Sequence, residues 1–399
     1  YLFFIRVAIA TLMKNRYDDW VKFSMPWLLF SGGVLGLGIM MGGYWAYGVL
    51  GWGGYWAWDP VENSSFIPWL VTVAAVHTMI AQKRTGGYKK TNLILCILSF
   101  LLVLYSTFLT RSGILGDSSV HSFVDPGQEV YLALVVFISF FILLAIGTLI
   151  YRRKELIALN LHPNKLLSRE SSLFLGTITL CAAALVITAG TSWPIISKGS
   201  VDATFYNKMN LPIAIMIAFI NGIALLLKWK TTPEKQFFKS LMFPLILALM
   251  VTVGLVFVGV QDFLIALFAL AALFTFFINI EIAVNIVRKN RGQAGAYIAH
   301  VGLALVFLGI IGSSKYSKEE NISLQLNTPT PVPALGYTFT YVGATPFEDP
   351  NNKTDTKYHF NIKVEKDGKE MTMQPIMYFS EFSNGVMKNP DIANFPTRD

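Results

Sequence analysis

Two histidines, His77 and His300, lie inside long apolar runs of this 399-residue chain, where an imidazole is costly unless it finds a partner. His77 stands six residues before Lys83, and His300 nine residues after Arg291. At helical rise each sits roughly 8 to 13 Å from the basic end of its run. Two imidazoles at one depth on separate helices can clamp a single metal from opposite sides. Each can equally well hydrogen-bond a backbone carbonyl between helices. Glu281, seven residues before Arg288, reaches a similar depth and is a candidate to orient one imidazole.

The second constellation is Trp52-Gly53-Gly54-Tyr55-Trp56-Ala57-Trp58-Asp59-Pro60-Val61-Glu62-Asn63, with Trp45 just before it and Trp69 just after. No Lys or Arg occurs between Lys22 and Lys83. Flat aromatic faces spaced by glycine can contact a large planar ligand, and they can also anchor a loop at a membrane interface. Asp59 before Pro60, with Glu62 three residues on, reads as an N-cap, a first helical position and a capping-box acid. His121 follows Thr110-Arg111-Ser112-Gly113 in a loop on the same side. It is either a surface residue or an axial metal ligand beside the aromatic platform. Arg111 is the only cation of that loop and the natural partner for carboxylates on a bound ligand. His162 and His359 read as ordinary surface residues.

These residues must be positioned by membrane helices. Hydrophobic residues make up 54% of the chain, charged residues 14%, and the mean hydropathy is +0.52. Apolar runs of spanning length recur at Tyr1–Met13 (short), Met25–Trp45, Phe66–Ala81, Thr91–Thr110, Val130–Tyr151, Ser172–Ser192, Leu211–Leu227, Ser240–Val260, Phe263–Val287 and Ala294–Gly312. The expected fold is therefore an all-α polytopic membrane protein of about ten transmembrane helices. The loops at 14–23, 82–90, 152–171, 228–239 and 288–293 carry 3, 4, 5, 4 and 3 Lys or Arg. The intervening loops at 46–65, 111–129, 193–210 and 261–262 carry 0, 1, 2 and 0. Positive loops stay on the cytoplasmic side, so the tryptophan loop and the tail after Gly312 are expected to face outward.

The same distribution accounts for the net charge of +8 by topology and anionic lipid, not by nucleic acid. Arg6, inside the first run, reads as a snorkelling or helix-paired residue. Cys96 and Cys181 fall in spans and form no C-x-x-C pair, so they read as packing residues. The sequence holds no Walker loop, zinc spacing, G-x-S-x-G or internal repeat. Residues 1–313 are thus expected to form the helical bundle, with the aromatic segment at 45–69 on its outer face. Residues 314–399 are polar and alternating, as in Tyr337–Val342 and Phe360–Val364, with Asp367-Gly368 as a hairpin turn. They are expected to form a small β-rich domain on the outer side. The opening run lacks a charged flank, and the tail has no obvious end, so the chain reads as a fragment.

Residues Gly51 to Leu70 resemble the tryptophan-rich WWD segment of the haem-handling proteins of cytochrome c maturation. The continuation Pro60-Val61-Glu62-Asn63-Ser64-Ser65-Phe66-Ile67-Pro68-Trp69 is most similar to the CcmF haem lyase type. The match extends to Val76-His77-Thr78, Leu109-Thr110-Arg111-Ser112-Gly113, Val120-His121-Ser122 and Ala299-His300-Val301-Gly302. Tyr55 stands where a Trp is common, which keeps an aromatic face. The resemblance implies that His77 and His300 are axial ligands of a resident b-type haem. It implies that His121 is one of two outer ligands to a second, transient haem held as substrate by Trp45, Trp52, Trp56, Trp58 and Asp59. The family's other outer ligand lies in a His-Pro-Pro run upstream of a segment like Tyr1-Leu2-Phe3-Phe4, outside this chain.

The implied chemistry is thioether formation between haem vinyl groups and the two thiols of a C-x-x-C-H motif in apocytochrome c. Most of that task is positioning. The resident haem b would relay electrons from quinol so that the substrate iron stays ferrous. The implied partners are apocytochrome c, a haem chaperone of the CcmE type, apocytochrome-presenting subunits of the CcmH or CcmI type, and membrane lipid, with no nucleic acid. The implied place is the bacterial inner membrane, with the WWD segment and the tail in the periplasm. Two other classes compete: a haem exporter using the tryptophan loop as an exit site, and a non-catalytic assembly scaffold. An exporter would need a polar path, and the spans are poor in charge.

Overall fold

A computed structural model describes residues 1–49, 54–115, 126–159, 165–197, 199, 201–316, 318, 320–349, 352–380 and 385–393. Every apolar run becomes a helix: α1 (Leu2–Lys14), α2 (Trp20–Val49), α3 (Pro60–Thr85), α4 (Lys89–Arg111), α5 (Gln128–Tyr151), α6 (Arg153–Ala158), α7 (Arg169–Ile196), α8 (Ala203–Leu226), α9 (Glu234–Phe257), α10 (Phe263–Lys289) and α11 (Gly295–Tyr316). Six strands follow: β1 (Thr330–Val332), β2 (Tyr337–Asp349), β3 (Asn352–Lys366), β4 (Lys369–Met373), β5 (Ile376–Ser380) and β6 (Gly385–Asn389). Among the described residues nine helices are long and apolar enough to cross a membrane, all but α1 and α6. The chain is a multi-pass membrane protein. The run at Tyr1–Met13 forms a 13-residue helix, short for a crossing by itself.

Most of these helices overrun their apolar stretches because polar caps carry them through the interface. α3 opens on Asp59, whose carboxylate accepts from the Val61 N–H at 2.8 Å, with Pro60 at the first helical position. It closes on Lys83 and Arg84 followed by Gly86 at φ 77°. α10 opens on Asp262, which accepts from the Ile265 N–H at 3.0 Å. The short α6 carries no sequence signal of its own. Arg152 just before it donates from Nε to the Leu12 carbonyl at 2.8 Å and from Nη2 to the Met13 carbonyl at 2.7 Å. It thereby adds a charged donor to two carbonyls of the last turn of α1, where the Asn15 N–H reaches Leu12 at only 3.3 Å.

α3 is the most enclosed span and α5 the least. Ala74 and Ala75 of α3 share one buried cluster with Ala183 and Ala184 of α7, Cys96 and Phe100 of α4, and Phe4, Ala8 and Leu12 of α1. Small residues at such seams let backbones approach where no hydrophobic drive exists. α2 docks on α3 in the same way, with the Trp69 indole N–H donating to the Gly32 carbonyl at 3.1 Å. A Cβ on Gly36 would lie 2.6 Å from that indole nitrogen. Two further clusters join α8, α9, α10 and α11, and Phe307 of α11 packs on Phe268 of α10 at 5.1 Å.

A buried polar ladder ties α3 to α4 near their basic ends. Thr78 donates to Asn92 Oδ1, Asn92 Nδ2 donates to Gln82 Oε1 at 2.7 Å, and Gln82 Nε2 donates to the Tyr17 carbonyl at 2.8 Å. Asn92→Leu would leave the buried Gln82 amide oxygen without its donor and cut the Thr78 hydroxyl back to the Ala74 and Ala75 carbonyls of its own helix. The expected cost is about 1–3 kcal/mol, read as a lower Tm of the purified protein in detergent. A variant as stable as the parent would show that the ladder is incidental.

The tail forms one antiparallel sheet of order β1-β2-β3-β5-β6, with β4 on the other part of β3. The β3–β4 hairpin turns at Asp367 and Gly368, both at positive φ (49° and 74°), as a two-residue turn of this kind requires. By proximity the chain divides into two compact units. One is Tyr1–Ile39 with Trp58–Lys315, and the other is Met40–Ala57 with Tyr316–Asp399. The grouping of Met40–Ala57 with the tail has no signature in the hydropathy.

Candidate functional site

The imidazoles of His77 on α3 and His300 on α11 face each other, with ring centroids 6.0 Å apart and planes 44° from parallel. His77 Nδ1 lies 2.7 Å from the Val73 carbonyl one turn back. A carbonyl only accepts, so Nδ1 carries the proton and the lone pair of the neutral ring sits on Nε2. His300 Nδ1 is buried without a well-formed hydrogen bond, the Ala296 carbonyl one turn earlier giving it a loose backbone partner. Metal–imidazole bonds of ~2 Å, plus ~1 Å from nitrogen to ring centre, put two axial imidazoles about 6 Å apart centre to centre. The observed separation meets that requirement. Glu281 takes no part in orienting His77, which bonds the Val73 carbonyl, and its side chain is exposed.

Among the described residues no group of three His, Cys, Asp or Glu gathers as a metal cage. Two opposed imidazoles alone supply only the axial pair of an octahedral ion. That donor set suits a macrocycle bringing its own four nitrogens, so the residues fit a bis-histidine haem.

Around the tryptophan segment the structure describes Trp45, Trp56, Trp58, Asp59 and Arg111, while Trp52 and His121 lie outside the described residues, as does His162. Trp58 adopts φ 57°, a left-handed conformation that is an outlier for a bulky side chain. Such strain costs on the order of 1–3 kcal/mol and persists only where neighbours impose it. The indole stacks on Tyr206 with centroids 5.0 Å apart and planes 9° from parallel, and its Nε1 donates to Asn207 Oδ1 at 2.8 Å. Fully buried Asn63 donates from Nδ2 to the Trp58 carbonyl at 2.9 Å.

Tyr206 is seated in turn against Gly190 of α7, where a Cβ would come within 2.7 Å of its ring. Asp202 starts α8, accepting from the Thr204 N–H at 2.6 Å, and so sets the turn that presents Tyr206 and Asn207. That hydrogen bond holds the Asp202 carboxyl below its ordinary range. Sequence reasoning found Trp58 and missed Tyr206, Asn207, Asn63 and Gly190. The cap at Asp202 places Tyr206 at the same end of the bundle as the tryptophans, but no local pattern announces the stacking.

The remaining positions are simpler. Trp45 on α2 is half exposed, and Trp56 is partly buried. The Tyr55 carbonyl lies against Gly43 of α2, where a Cβ would stand 2.7 Å away, so this approach requires glycine. Asp59 serves as the N-cap of α3, and Arg111 is exposed at the C-terminal end of α4. His359 lies in the sheet, its Nδ1 3.3 Å from the Gln374 carbonyl.

Comparison with known proteins shows what the chain as a whole is similar to. Residues 4–115 match the cytochrome c assembly protein family. The cytochrome c-type biogenesis protein CcmF of Pseudomonas aeruginosa is 33% identical, with 98% of this chain aligned to 61% of that protein. The CcmF of Pseudomonas fluorescens is 34% identical over the same shares. A solved structure of the cytochrome c haem lyase CcmF superposes with a TM-score of 0.70 at 27% identity, covering 96% of this chain and 60% of that one. The chain thus spans less than two thirds of the length of each of these relatives.

Proposed function

Because this chain is CcmF-like along nearly its whole length, with a cytochrome c assembly protein domain at residues 4–115, we propose that it serves cytochrome c-type biogenesis as a haem lyase subunit. Its substrates are haem, delivered by a chaperone of the CcmE type, and apocytochrome c, presented by subunits of the CcmH or CcmI type. Each cysteine thiol of the C-x-x-C-H motif adds across a vinyl double bond. One C–S and one C–H bond form, the S–H bond breaks, and no net oxidation occurs. The protein's contribution is to hold the porphyrin edge against the thiols. Trp45, Trp52, Trp56, Trp58 and Asp59 receive the substrate haem, His121 ligates its iron and Arg111 meets its propionates.

The observation that carries this reading is the pair of opposed imidazoles at 6.0 Å. His77 and His300 hold a resident b-type haem, with the Val73 carbonyl fixing the tautomer of His77. Bound there, that haem supplies one-electron transfer from quinol toward the substrate iron. The tryptophan segment and the tail face the periplasm from the bacterial inner membrane, a reading supported by the Lys and Arg content of the alternate loops.

The test is a host strain lacking this protein, with the chaperone and the c-type cytochromes probed by haem staining of gels. Haem should accumulate on the chaperone, covalent cytochrome c should disappear, and the full-length gene should restore it. An empty chaperone would assign an export role instead, and unchanged cytochrome c would remove the lyase reading.

A further inference from the structure

We propose that the basic cavity between α1 and the start of α2 is a seat for the headgroup of an anionic phospholipid. The cavity has a volume of about 520 Å³ and lies at the end of the bundle that carries the basic loops. Arg6 and Lys14 line it from α1, Arg16 from the connection, and Trp20 and Lys22 from the first turn of α2.

The arrangement follows from helical spacing. Arg6, Ala10 and Lys14 recur every four residues and share one face of α1. Phe4, Ile5, Ala8 and Leu12 are buried in the core on the other face. The basic face is therefore turned away from the bundle's interior. Arg6 sits two turns, or ~12 Å, along the helix from Lys14, so the charge reaches past the surface loop toward the apolar layer.

Charge bookkeeping favours an anion. Of the carboxylates near the cavity, Asp19 is engaged with Lys22 at 3.0 Å and Asp18 with Lys89. Among the described residues no carboxylate pairs with Arg6, Lys14 or Arg16. A cation at the membrane boundary is stabilised by an anionic headgroup. Trp20, itself 4% exposed, contributes the edge of its ring to the lining, an amphipathic side chain of the kind that favours the level of lipid headgroups. Val7 and Phe23 complete the lining with apolar surface, which suits the glycerol and first acyl carbons and has no use for a free phosphate ion.

The test uses the full-length protein in nanodiscs of phosphatidylcholine containing phosphatidylglycerol, followed by mass spectrometry of retained lipid. Phosphatidylglycerol should be retained selectively. The double variant Arg6→Gln/Arg16→Gln should weaken its retention on the order of thirtyfold, with the circular dichroism unchanged. Asp19→Asn, which releases Lys22 toward the cavity, should strengthen it. Equal retention of the two lipids, or unchanged retention in the double variant, would overturn the proposal. So would displacement of the lipid by inorganic phosphate, which would mark a plain phosphate site.

Discussion

Replacing His77 or His300 by alanine should remove the b-type haem spectrum of the purified protein. In the proposed site each imidazole would supply one of the two protein bonds to the iron, and among the described residues no group of three potential donors gathers there. Loss of a hydrogen bond that merely orients a ligating imidazole already costs about 10–100-fold in metal affinity; loss of a ligand itself should leave less than roughly a tenth of the haem bound. Exogenous imidazole should restore a six-coordinate, low-spin spectrum in either variant, a rescue that a merely structural histidine would not show. His121→Ala should leave this spectrum unchanged, since the proposal gives His121 to the substrate haem. Protein that is colourless from a haem-replete host would favour the scaffold reading. Haem retained in both variants would mean that the facing rings are only a packing contact.

Trp58→Ala should block capture of haem from the chaperone while the inner spectrum stays intact. Removing one aromatic face is worth about tenfold in binding, and the strained backbone of Trp58 would relax once its stacking on Tyr206 is gone. Trp58→Phe should keep part of the activity. Trp56→Ala should also lower capture, because the proposal assigns both indoles to the substrate. Gly190→Ala offers an independent route to the same defect. Its methyl group would overlap the Tyr206 ring and push it from beneath the indole without touching the segment itself. The readouts are haem-loaded chaperone recovered with the protein and covalent cytochrome c on haem-stained gels. Normal yields in Trp58→Ala and Trp56→Ala would end the platform reading.

The spans were legible in the sequence because a bilayer leaves a chain few options. Backbone groups must be satisfied internally, so an apolar run of sufficient length becomes a helix. That is why Met25–Trp45 lies within α2 and Thr91–Thr110 within α4. The cap of α3 at Asp59 and the turn at Asp367-Gly368 were equally readable, since each depends on a few adjacent residues. The short α6 was not, because its place depends on Arg152 reaching the end of α1, well over a hundred residues away in sequence.

For the candidate site the sequence determined which residues were unusual and at what depth they lie. It singled out His77 and His300 as costly groups in apolar runs, and the dense tryptophan segment as an aromatic surface. Rise per residue is a local property, so depth can be counted along each helix. Whether the two imidazoles meet depends on how α3 and α11 are rotated and spaced, which many distant side-chain contacts set together. Only the tertiary structure brought those rings to 6.0 Å, seated Trp58 on Tyr206 above Gly190, and turned the basic face of α1 toward the start of α2.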